Sequence, residues 1–327
     1  MPQTKSQFSV LNGGLYTTVQ DLGRSGVSAQ GLSQGGALDR FSFELCNKLL
    51  DNDINSACLE VTYGGLTIKA EGQTCICLTG AEAELKVNGQ TKPTWQSIWI
   101  DAGDVVEIAL VQNGSSPSGI RSYLGVTGGI QTEKVFNSRS TVVRERLGSN
   151  NGKPLKAGDR IPYFAINNRH EVQFKRLNNP PTFDHDIELR VVTGYQADWF
   201  DAVALRRFFS SEYIISNQND RMGYRLQGSA IHCSETNMYS EGIALGAIQI
   251  PADGQPIILL NDRQTLGGYP KIGSVFQPDL GLLAQCGTGG KIRFRQITIE
   301  DAHNQLMLYK RYQQKRLNQD IEVINHQ

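Results

Sequence analysis

Residues 241–270 read EGIALGAIQIPADGQPIILLNDRQTLGGYP. The turn-forming tetrapeptide PADG at 251–254 separates two apolar runs that have the composition of β-strands. The second run leads into a polar loop with Gly267 and Gly268, where the missing side chains let the backbone come close to a ligand. This stretch therefore predicts a β-hairpin that ends in a small-molecule site.

The polar loop concentrates charge and directional hydrogen-bonding groups. Asp262 and Arg263 are charged, and Gln264, Thr265 and Tyr269 carry polar side chains. Polar groups that converge at the end of a buried strand are typical of a ligand pocket. An ordinary hairpin with a polar surface loop is the alternative, because loops collect these residue types in any protein.

Composition narrows the classes of function. The 327 residues include 32 basic and 32 acidic side chains, so there is no net charge and no basic footprint for nucleic acid. No apolar run approaches the roughly 18 residues of a membrane span, and the first eight residues lack the apolar core of a signal peptide. We expect a cytoplasmic protein whose partners are small molecules and proteins, with no nucleic acid and no membrane among them.

Short β-rich runs separated by turn signals fill residues 59–125. The pair Asn88-Gly89 is typical of a tight hairpin, and Ala-Gly-Asp turns precede further runs at 105–110 and 160–162. Residues 8–19 have the composition of an opening hairpin. The regular spacing favours a closed or sandwiched β architecture over alternating βαβ units.

Three segments have the pattern of helices. Apolar residues at helical spacing predict one helix at 38–49 and an amphipathic helix at 299–317, which either docks on the protein or binds a partner. Asp198, with Asp201 three residues on, can cap a third helix that runs to about residue 209. The outer face of the first helix is expected to hold three charged side chains in solvent: Arg40, Glu44 and Lys48.

Residues 169–183 are polar and contain the cluster NNPP at 178–181, which is typical of a linker. We therefore predict two domains, 1–180 and 181–327. The loops that begin at Asp21 and Asp220 are weakly alike, which indicates an internal duplication, with chance similarity of glycine-rich loops as the alternative.

Five motifs run in order from about residue 15 to residue 294: TTVQDLGR (17–24), GALDR (36–40), SRST (138–141), DRMGYRL (220–226), and GQPI with DRQTLGGYP (254–257 and 262–270). Together they resemble the biotin-dependent carboxyltransferase-like family, which includes allophanate hydrolase subunit 2 and KipA. Two departures occur: Leu266 stands where the family usually has a second Thr, and the segment after Arg144 lacks the usual glycine-rich pattern.

The resemblance implies a mainly β fold with two tandem cyclophilin-like β-barrel domains and a few helices. It also implies one component, the C subunit, of an ATP-dependent 5-oxoprolinase complex, which opens 5-oxo-L-proline to L-glutamate. Its partners would be a KipI-like protein as the B subunit of the complex, a LamB/YcsF-like protein as the A subunit, and the small amide itself. The complex would use ATP with Mg, and no motif of this chain binds a cofactor on its own.

Two other functions are compatible with the same resemblance. One is biotin-dependent carboxyl transfer in a urea carboxylase/allophanate hydrolase system, with biotin on another chain because none of the four Met residues is followed by Lys. The other is a KipA-type regulator that binds a kinase inhibitor and performs no chemistry.

Roles for site residues follow from loop placement and from the resemblance. An amide is a weak electrophile, so opening a lactam needs activation of its oxygen and donors that stabilise the negative charge. We expect Arg221, Glu241 and Asp262 to be catalytic and no residue to bind a metal. Arginines in glycine- or serine-rich loops can clamp a carboxylate or phosphate. The expected substrate-binding residues are Arg24, Arg139, Arg225, Gln264, Thr265, Gly267, Gly268 and Tyr269.

Four further patterns carry less weight. Ser33 lies in GLSQG, a nucleophile-elbow string, but loop and not strand precedes it. GTGGK at 287–291 lacks the other residues of a phosphate loop, which favours a β-turn. Cys75 and Cys77 share one face of a strand without further ligands nearby, and His232 is more typical of a structural residue than of a base.

Overall fold

The computed structural model describes residues 4–111, 118–235 and 238–324, apart from the side chains of 317 and 318. The chain forms two compact units. Unit 1 comprises Met1–Arg24, Gly35–Phe183 and Gln313–Gln327, and unit 2 comprises Ser25–Gln34 and Asp184–Tyr312. The break at 183/184 lies near the predicted boundary at 180/181, whereas 25–34 and 313–327 each belong to the unit opposite the predicted one. Two independently folding domains stay a prediction.

In chain order, the strands are β1 (Thr4–Gly13), β2 (Tyr16–Gln20), β3 (Cys58–Thr62), β4 (Leu66–Ala70), β5 (Thr74–Gly80), β6 (Ala83–Val87), β7 (Gln90–Lys92), β8 (Ser97–Ile100), β9 (Val105–Leu110), β10 (Arg121–Val126), β11 (Arg160–Ala165), β12 (Phe174–Leu177), β13 (Asp186–Thr193), β14 (Glu212–Asn219), β15 (Gly223–Gln227), β16 (Glu241–Gly242), β17 (Ala247–Gln249), β18 (Ile257–Leu259), β19 (Leu266–Gly267), β20 (Lys271–Val275), β21 (Lys291–Ile297) and β22 (Ile321–Ile324). The α-helices are α1 (Arg40–Leu49), α2 (Ser149–Gly152), α3 (Ala202–Ser210), α4 (Leu280–Gln285) and α5 (Ile299–Gln319).

Unit 1 is a β-sandwich with a helical cover. A six-stranded sheet has the order β11-β1-β4-β9-β6-β7, and a five-stranded sheet has the order β2-β3-β10-β5-β8. Apolar residues from both sheets form one buried cluster, for example Phe8, Ile68, Leu78 and Leu124. The strands β5 and β10 are buried at every position, because the five-stranded sheet also packs against α1 and β12 on its outer face.

One predicted hairpin is present, and another is wrong. Asn88 and Gly89 have φ of 51° and 76° and join β6 to β7, as the Asn-Gly pair predicts. The opening hairpin at 8–19 is wrong, because β1 pairs with β4 and β11 whereas β2 pairs with β3 in the other sheet. At Gly13 a Cβ would lie 2.0 Å from the carbonyl oxygen of Leu155, so glycine is needed where the chain crosses between sheets.

The first predicted helix is present, with one correction. Asp39 caps α1, since its carboxylate accepts a hydrogen bond from the backbone N–H of Ser42 at 3.1 Å. Glu44 is buried and not in solvent as expected; its Oε1 accepts from Arg40 Nε at 2.5 Å. Arg40, one helical turn before Glu44, gives the buried carboxylate a charged partner.

The predicted linker at 169–183 is wrong in its first half. Residues 174–177 form β12, which pairs antiparallel with β22, and Phe174 and Leu177 are buried against the outer face of the five-stranded sheet. The sequence did not indicate this strand, because Phe174 and Leu177 have polar neighbours and their partner strand β22 is about 150 residues later in the chain.

Unit 2 contains a closed barrel with the order β13-β20-β17-β18-β15-β14-β21. The pair β13–β21 is parallel, and the other barrel pairs are antiparallel. The cap of helix α3 is Asp201 and not Asp198 as expected, because Asp198 lies in the preceding helical turn at 195–199. The Asp201 carboxylate accepts from Ala204 N at 2.6 Å, and Phe208 of α3 stacks on Phe294 of β21. The predicted mainly β class with few helices is confirmed.

The remaining predicted elements also have counterparts. Residues 287–290 form the turn before β21, and α5 covers the predicted C-terminal helix, although Ile299 at its start is 69% exposed. In the described part of the chain, no helix combines the length and the apolar character that a bilayer crossing requires.

Candidate functional site

The hairpin that the sequence predicts at 241–270 is present in the barrel. Strands β17 and β18 pair antiparallel, with Ile248 opposite Ile258. The turn between them is closed by a hydrogen bond from Gly254 N to Pro251 O of 2.9 Å, and Gly254 has φ of 73°. The polar loop then leaves β18 and returns as β19, which pairs with β16.

The start of the polar loop is fixed by a buried ion pair. Arg221 donates from Nε and Nη2 to the two carboxylate oxygens of Asp262, each at 3.0 Å. Both residues are 4% exposed, and Asp262 N also donates to Arg221 O at 2.9 Å. Two of the three expected catalytic residues are therefore together, in a bidentate arrangement that fixes the loop against the turn between β14 and β15.

Ser33 also contacts this loop. Its Oγ donates to the carbonyl oxygen of Arg263 at 2.8 Å, and Ser33 is 2% exposed. Arg263 in turn donates from Nε to Ile243 O at 3.1 Å, and burial lowers the pKa of its guanidinium. These contacts connect the segment 25–34, the loop and β16 within unit 2.

The third expected catalytic residue, Glu241, lies in a different polar cluster. Its Oε1 accepts from Gln196 Nε2 at 2.6 Å and from Lys271 Nζ, and its Oε2 accepts from Tyr195 OH. The Gln196 side chain also accepts from Lys271 N at 2.7 Å, and Gln196 is 1% exposed. We call these four residues, Tyr195, Gln196, Glu241 and Lys271, the Glu241 cluster.

Electrostatics keep the Glu241 carboxylate charged. Desolvation would raise the pKa of Glu241, but the hydrogen bonds from Lys271 and Tyr195 and the charge of Lys271 outweigh it, so this pKa lies below its ordinary value. The same carboxylate raises the pKa of Tyr195, whose hydroxyl donates to it. At neutral pH Glu241 is therefore a carboxylate and Tyr195 a neutral phenol.

The loop glycines bring this cluster next to the polar loop. Gly267 is the register partner of Glu241 in the β16–β19 pair, and a Cβ at Gly267 would lie 2.5 Å from Ile243 Cδ1 and 2.6 Å from Gln249 Nε2. Gly268 and Tyr269 are exposed, as is Gln264, and Thr265 O accepts from Ile243 N at 3.0 Å. Of the expected substrate-binding residues, Gly267 therefore comes nearest to Glu241 along the sheet.

The three expected substrate-binding arginines are held elsewhere. Arg24 Nη2 donates to Ser140 O at 2.5 Å, and Arg139 Nε donates to Thr132 O at 2.8 Å, both within unit 1. Arg225 was expected in a loop, but it lies in β15, where it pairs with Ile257 of β18, and its Nη1 pairs with Asp253 at 2.9 Å. Their role toward a substrate stays a prediction.

Asp21, which was not assigned a role, joins two of the sequence motifs. Its carboxylate accepts from Ser138 Oγ at 2.6 Å, Arg139 N at 2.6 Å, Ser140 Oγ at 2.5 Å and Gly23 N at 2.9 Å. The motifs TTVQDLGR and SRST thus meet at one buried carboxylate. This contact accounts for Asp21, Ser138 and Ser140, and it holds the two motifs together within unit 1.

No other feature of the described residues is a stronger candidate for the functional site than the Glu241 cluster. No group of three His, Cys, Asp or Glu side chains within the described ranges is arranged to hold a metal ion. Burial raises the pKa of the Cys75 thiol to about 12, so that thiol is neutral. A cavity of about 380 Å³ in unit 1, lined in part by Lys92, Trp99, Arg169 and Phe174, contains none of the expected site residues.

Sequence comparisons identify the family. The model of the carboxyltransferase domain, subdomains A and B, matches residues 30–296. The chain belongs to this family. The resemblance that the five motifs carry is therefore confirmed.

Individual relatives of this carboxyltransferase-domain chain carry more specific names. The chain is 35% identical to the 5-oxoprolinase C subunit of Escherichia coli over 90% of this chain and 93% of that relative. It is 34% identical to the 5-oxoprolinase C subunit of Haemophilus influenzae, over 87% of this chain and 89% of that one. The solved structure of the K. lactis urea amidolyase superposes with a TM-score of 0.84 at 25% identity over the whole of this chain, which spans only 21% of that protein.

Four residues near the site were not predicted from the sequence: Tyr195, Gln196, Gln249 and Lys271. Lys271 directly follows the DRQTLGGYP motif, so its proximity to that motif was the available signal. Gln196 comes from a segment 45 residues before Glu241, and no local pattern marks it.

Proposed function

We propose that this chain is the C subunit of an ATP-dependent 5-oxoprolinase complex, which opens 5-oxo-L-proline to L-glutamate. The observation that carries the proposal is the similarity to the E. coli and H. influenzae proteins of that name, which extends over about nine-tenths of both partners in each comparison. Similarity along whole chains supports a shared role better than a match to one domain of a larger enzyme. The other proposed components are a KipI-like protein and a LamB/YcsF-like protein, and the complex uses ATP with Mg.

The Glu241 cluster is the proposed lactam site. Glu241 is ionised at neutral pH because its pKa is lowered, so it serves as an acceptor and does not serve as a proton donor. It orients the lactam N–H through a charge-assisted hydrogen bond. The Lys271 ammonium, 12% exposed at its side chain, binds the substrate carboxylate or the phosphate transferred to the activated amide.

Arg221 and Asp262 act as positioning residues in this proposal. Each carboxylate oxygen of Asp262 already accepts from Arg221, and the pair is buried. A pair in this state holds the polar loop in place for the residues that follow it, Gln264 to Tyr269. Removing it would reduce activity through the geometry of the loop.

Carboxyl transfer from biotin is the second candidate. The family model and the superposition on urea amidolyase favour it, since both place the chain among carboxyltransferase domains. This reaction would need a biotin carrier on another chain, because this sequence has no Met-Lys carrier signature.

One experiment separates the candidates. The chain is expressed together with the other proposed components, the complex is purified, and glutamate is measured after addition of 5-oxo-L-proline with ATP and Mg. We expect glutamate release that depends on ATP and on the presence of this chain. Bicarbonate-dependent carboxylation of urea in the absence of glutamate release would instead support the carboxyltransferase function.

A further inference from the structure

The buried amide of Gln249 stands out in unit 2. Gln249 ends β17 and pairs with Ile257 on one side and Lys271 on the other. It is 5% exposed, and within the described residues its Nε2 has no hydrogen-bond partner. A buried amide group without a partner loses its bonds to water and gains nothing in return, so packing alone does not favour glutamine here.

The unpaired amide is directed at the glycine of the polar loop. A Cβ on Gly267 would lie 2.6 Å from Gln249 Nε2, so only glycine allows the loop backbone to cover this donor. Gly267 is the register partner of Glu241, and Lys271 is the register partner of Gln249. An amide donor, an ammonium and a carboxylate thus lie around one short strand, β19.

The loop that covers Gln249 is fixed at its ends and weakly held between them. Asp262 is bound by Arg221 at one end, and Pro270 O accepts from Ile250 N at 2.9 Å at the other. Between these anchors, β19 has two residue pairs with β16, and Leu266 and Tyr269 are 58% and 50% exposed. Few buried contacts and short pairing are the conditions for local opening at low cost.

We propose that Gln249 is a substrate-binding residue whose Nε2 donates to the carbonyl oxygen of a small amide when residues 264–269 move away from it. In the closed loop Gly267 occupies the position that the substrate takes in the open one. Three residues then recognise a lactam that bears a carboxylate. Gln249 binds the carbonyl oxygen of the lactam, Glu241 binds its N–H, and Lys271 binds its carboxylate. The substrate class in this inference rests on the proposed function.

The test compares Gln249→Met with Ile248→Val in the purified complex. Ile248 is the neighbouring buried residue on β17 and faces the other side of the sheet, so its variant controls for a general loosening of the strand. We expect Gln249→Met to lower kcat/KM for 5-oxo-L-proline about tenfold, mainly through KM, with a thermal midpoint no lower than that of the wild type. Ile248→Val should lower the midpoint and leave kcat/KM within about twofold of the wild type.

Hydrogen exchange on the wild-type complex gives a second measurement that needs no variant. Saturating 5-oxo-L-proline is expected to accelerate amide exchange in the peptide that covers 264–269, because the β16–β19 pairing opens. Unchanged or slower exchange there, or a Gln249→Met complex with wild-type kcat/KM, overturns the inference while the wild-type complex still releases glutamate. A wild-type complex that releases no glutamate overturns the proposed function itself and the inference with it.

Discussion

The Arg221–Asp262 pair gives the sharpest prediction about stability. Both side chains are almost fully buried, at 4% and 6% exposure, and the two hydrogen bonds between them measure 3.0 Å. Asp262→Asn keeps the shape of the side chain and takes the Asp262 charge away from the buried guanidinium. Breaking a buried pair in this way costs about 3–5 kcal/mol.

A domain of the size of unit 2 loses roughly 2–4 °C of thermal midpoint per kcal/mol, so we expect Asp262→Asn to lower the thermal midpoint of the protein by about 6–20 °C. Differential scanning calorimetry of the isolated chain measures it. The matched control is Asp253→Asn, since Asp253 pairs with Arg225 at a site where the carboxylate side chain is 50% exposed. Exposed pairs contribute about 0–1 kcal/mol, so the control should melt within about 4 °C of the wild type.

The double variant Arg221→Met/Asp262→Leu separates the loss of the pair from the loss of one partner. Replacing both charges by apolar side chains avoids the uncompensated charge, and we expect most of the midpoint to return. If Asp262→Asn has the thermal midpoint of the wild type and only its turnover falls, the pair does not fix the loop and the positioning role is wrong.

Three further predictions concern single contacts. Lys271→Met should raise the pKa of Glu241, because its ammonium lowers that pKa in the wild type; the acid limb of kcat/KM against pH then moves to higher pH, whereas the exposed control Lys291→Met leaves it in place. Asp201→Ala removes the cap of α3 and should cost about 0.5–2 kcal/mol by urea denaturation, and no loss would show that the cap is not used. Asp21→Ala leaves four donors without their acceptor and should lower the free energy of unfolding by at least about 3 kcal/mol; a thermal midpoint equal to that of the wild type would contradict its role as the contact between two motifs.

Local signals explain what could be predicted from the sequence. Asn88-Gly89 and the turn at 251–254 fix their hairpins because both turn types depend on a few adjacent residues. The helix at 202–210 could be predicted because a cap depends only on the residues just after it, although the cap is Asp201 and not Asp198. The cap of α1 at Asp39 was not predicted. The family motifs added what local signals lack, the carboxyltransferase-domain family itself.

Non-local contacts explain what could not. One miss is local: Glu44 looked solvent-facing by its position on the helix, yet it is buried and pairs with Arg40 four residues earlier. Phe174 looked like part of a linker because β22, its partner strand, lies near the other end of the chain. Lys271 and Gln196 meet Glu241 only through strand pairing and a short helical turn, so spacing along the chain does not reveal the Glu241 cluster.

The turnover of Glu241→Gln in the assembled complex tests most directly whether this chain provides the lactam site. The substitution keeps an oxygen acceptor and removes the charge, so a charge-assisted hydrogen bond to the substrate is lost, and kcat/KM for 5-oxo-L-proline should fall about 10- to 100-fold. Glu212→Gln, which removes an exposed carboxylate paired with Lys291 and Arg293, should leave it unchanged. A Glu241→Gln complex that folds, assembles and releases glutamate at the wild-type rate would contradict the account.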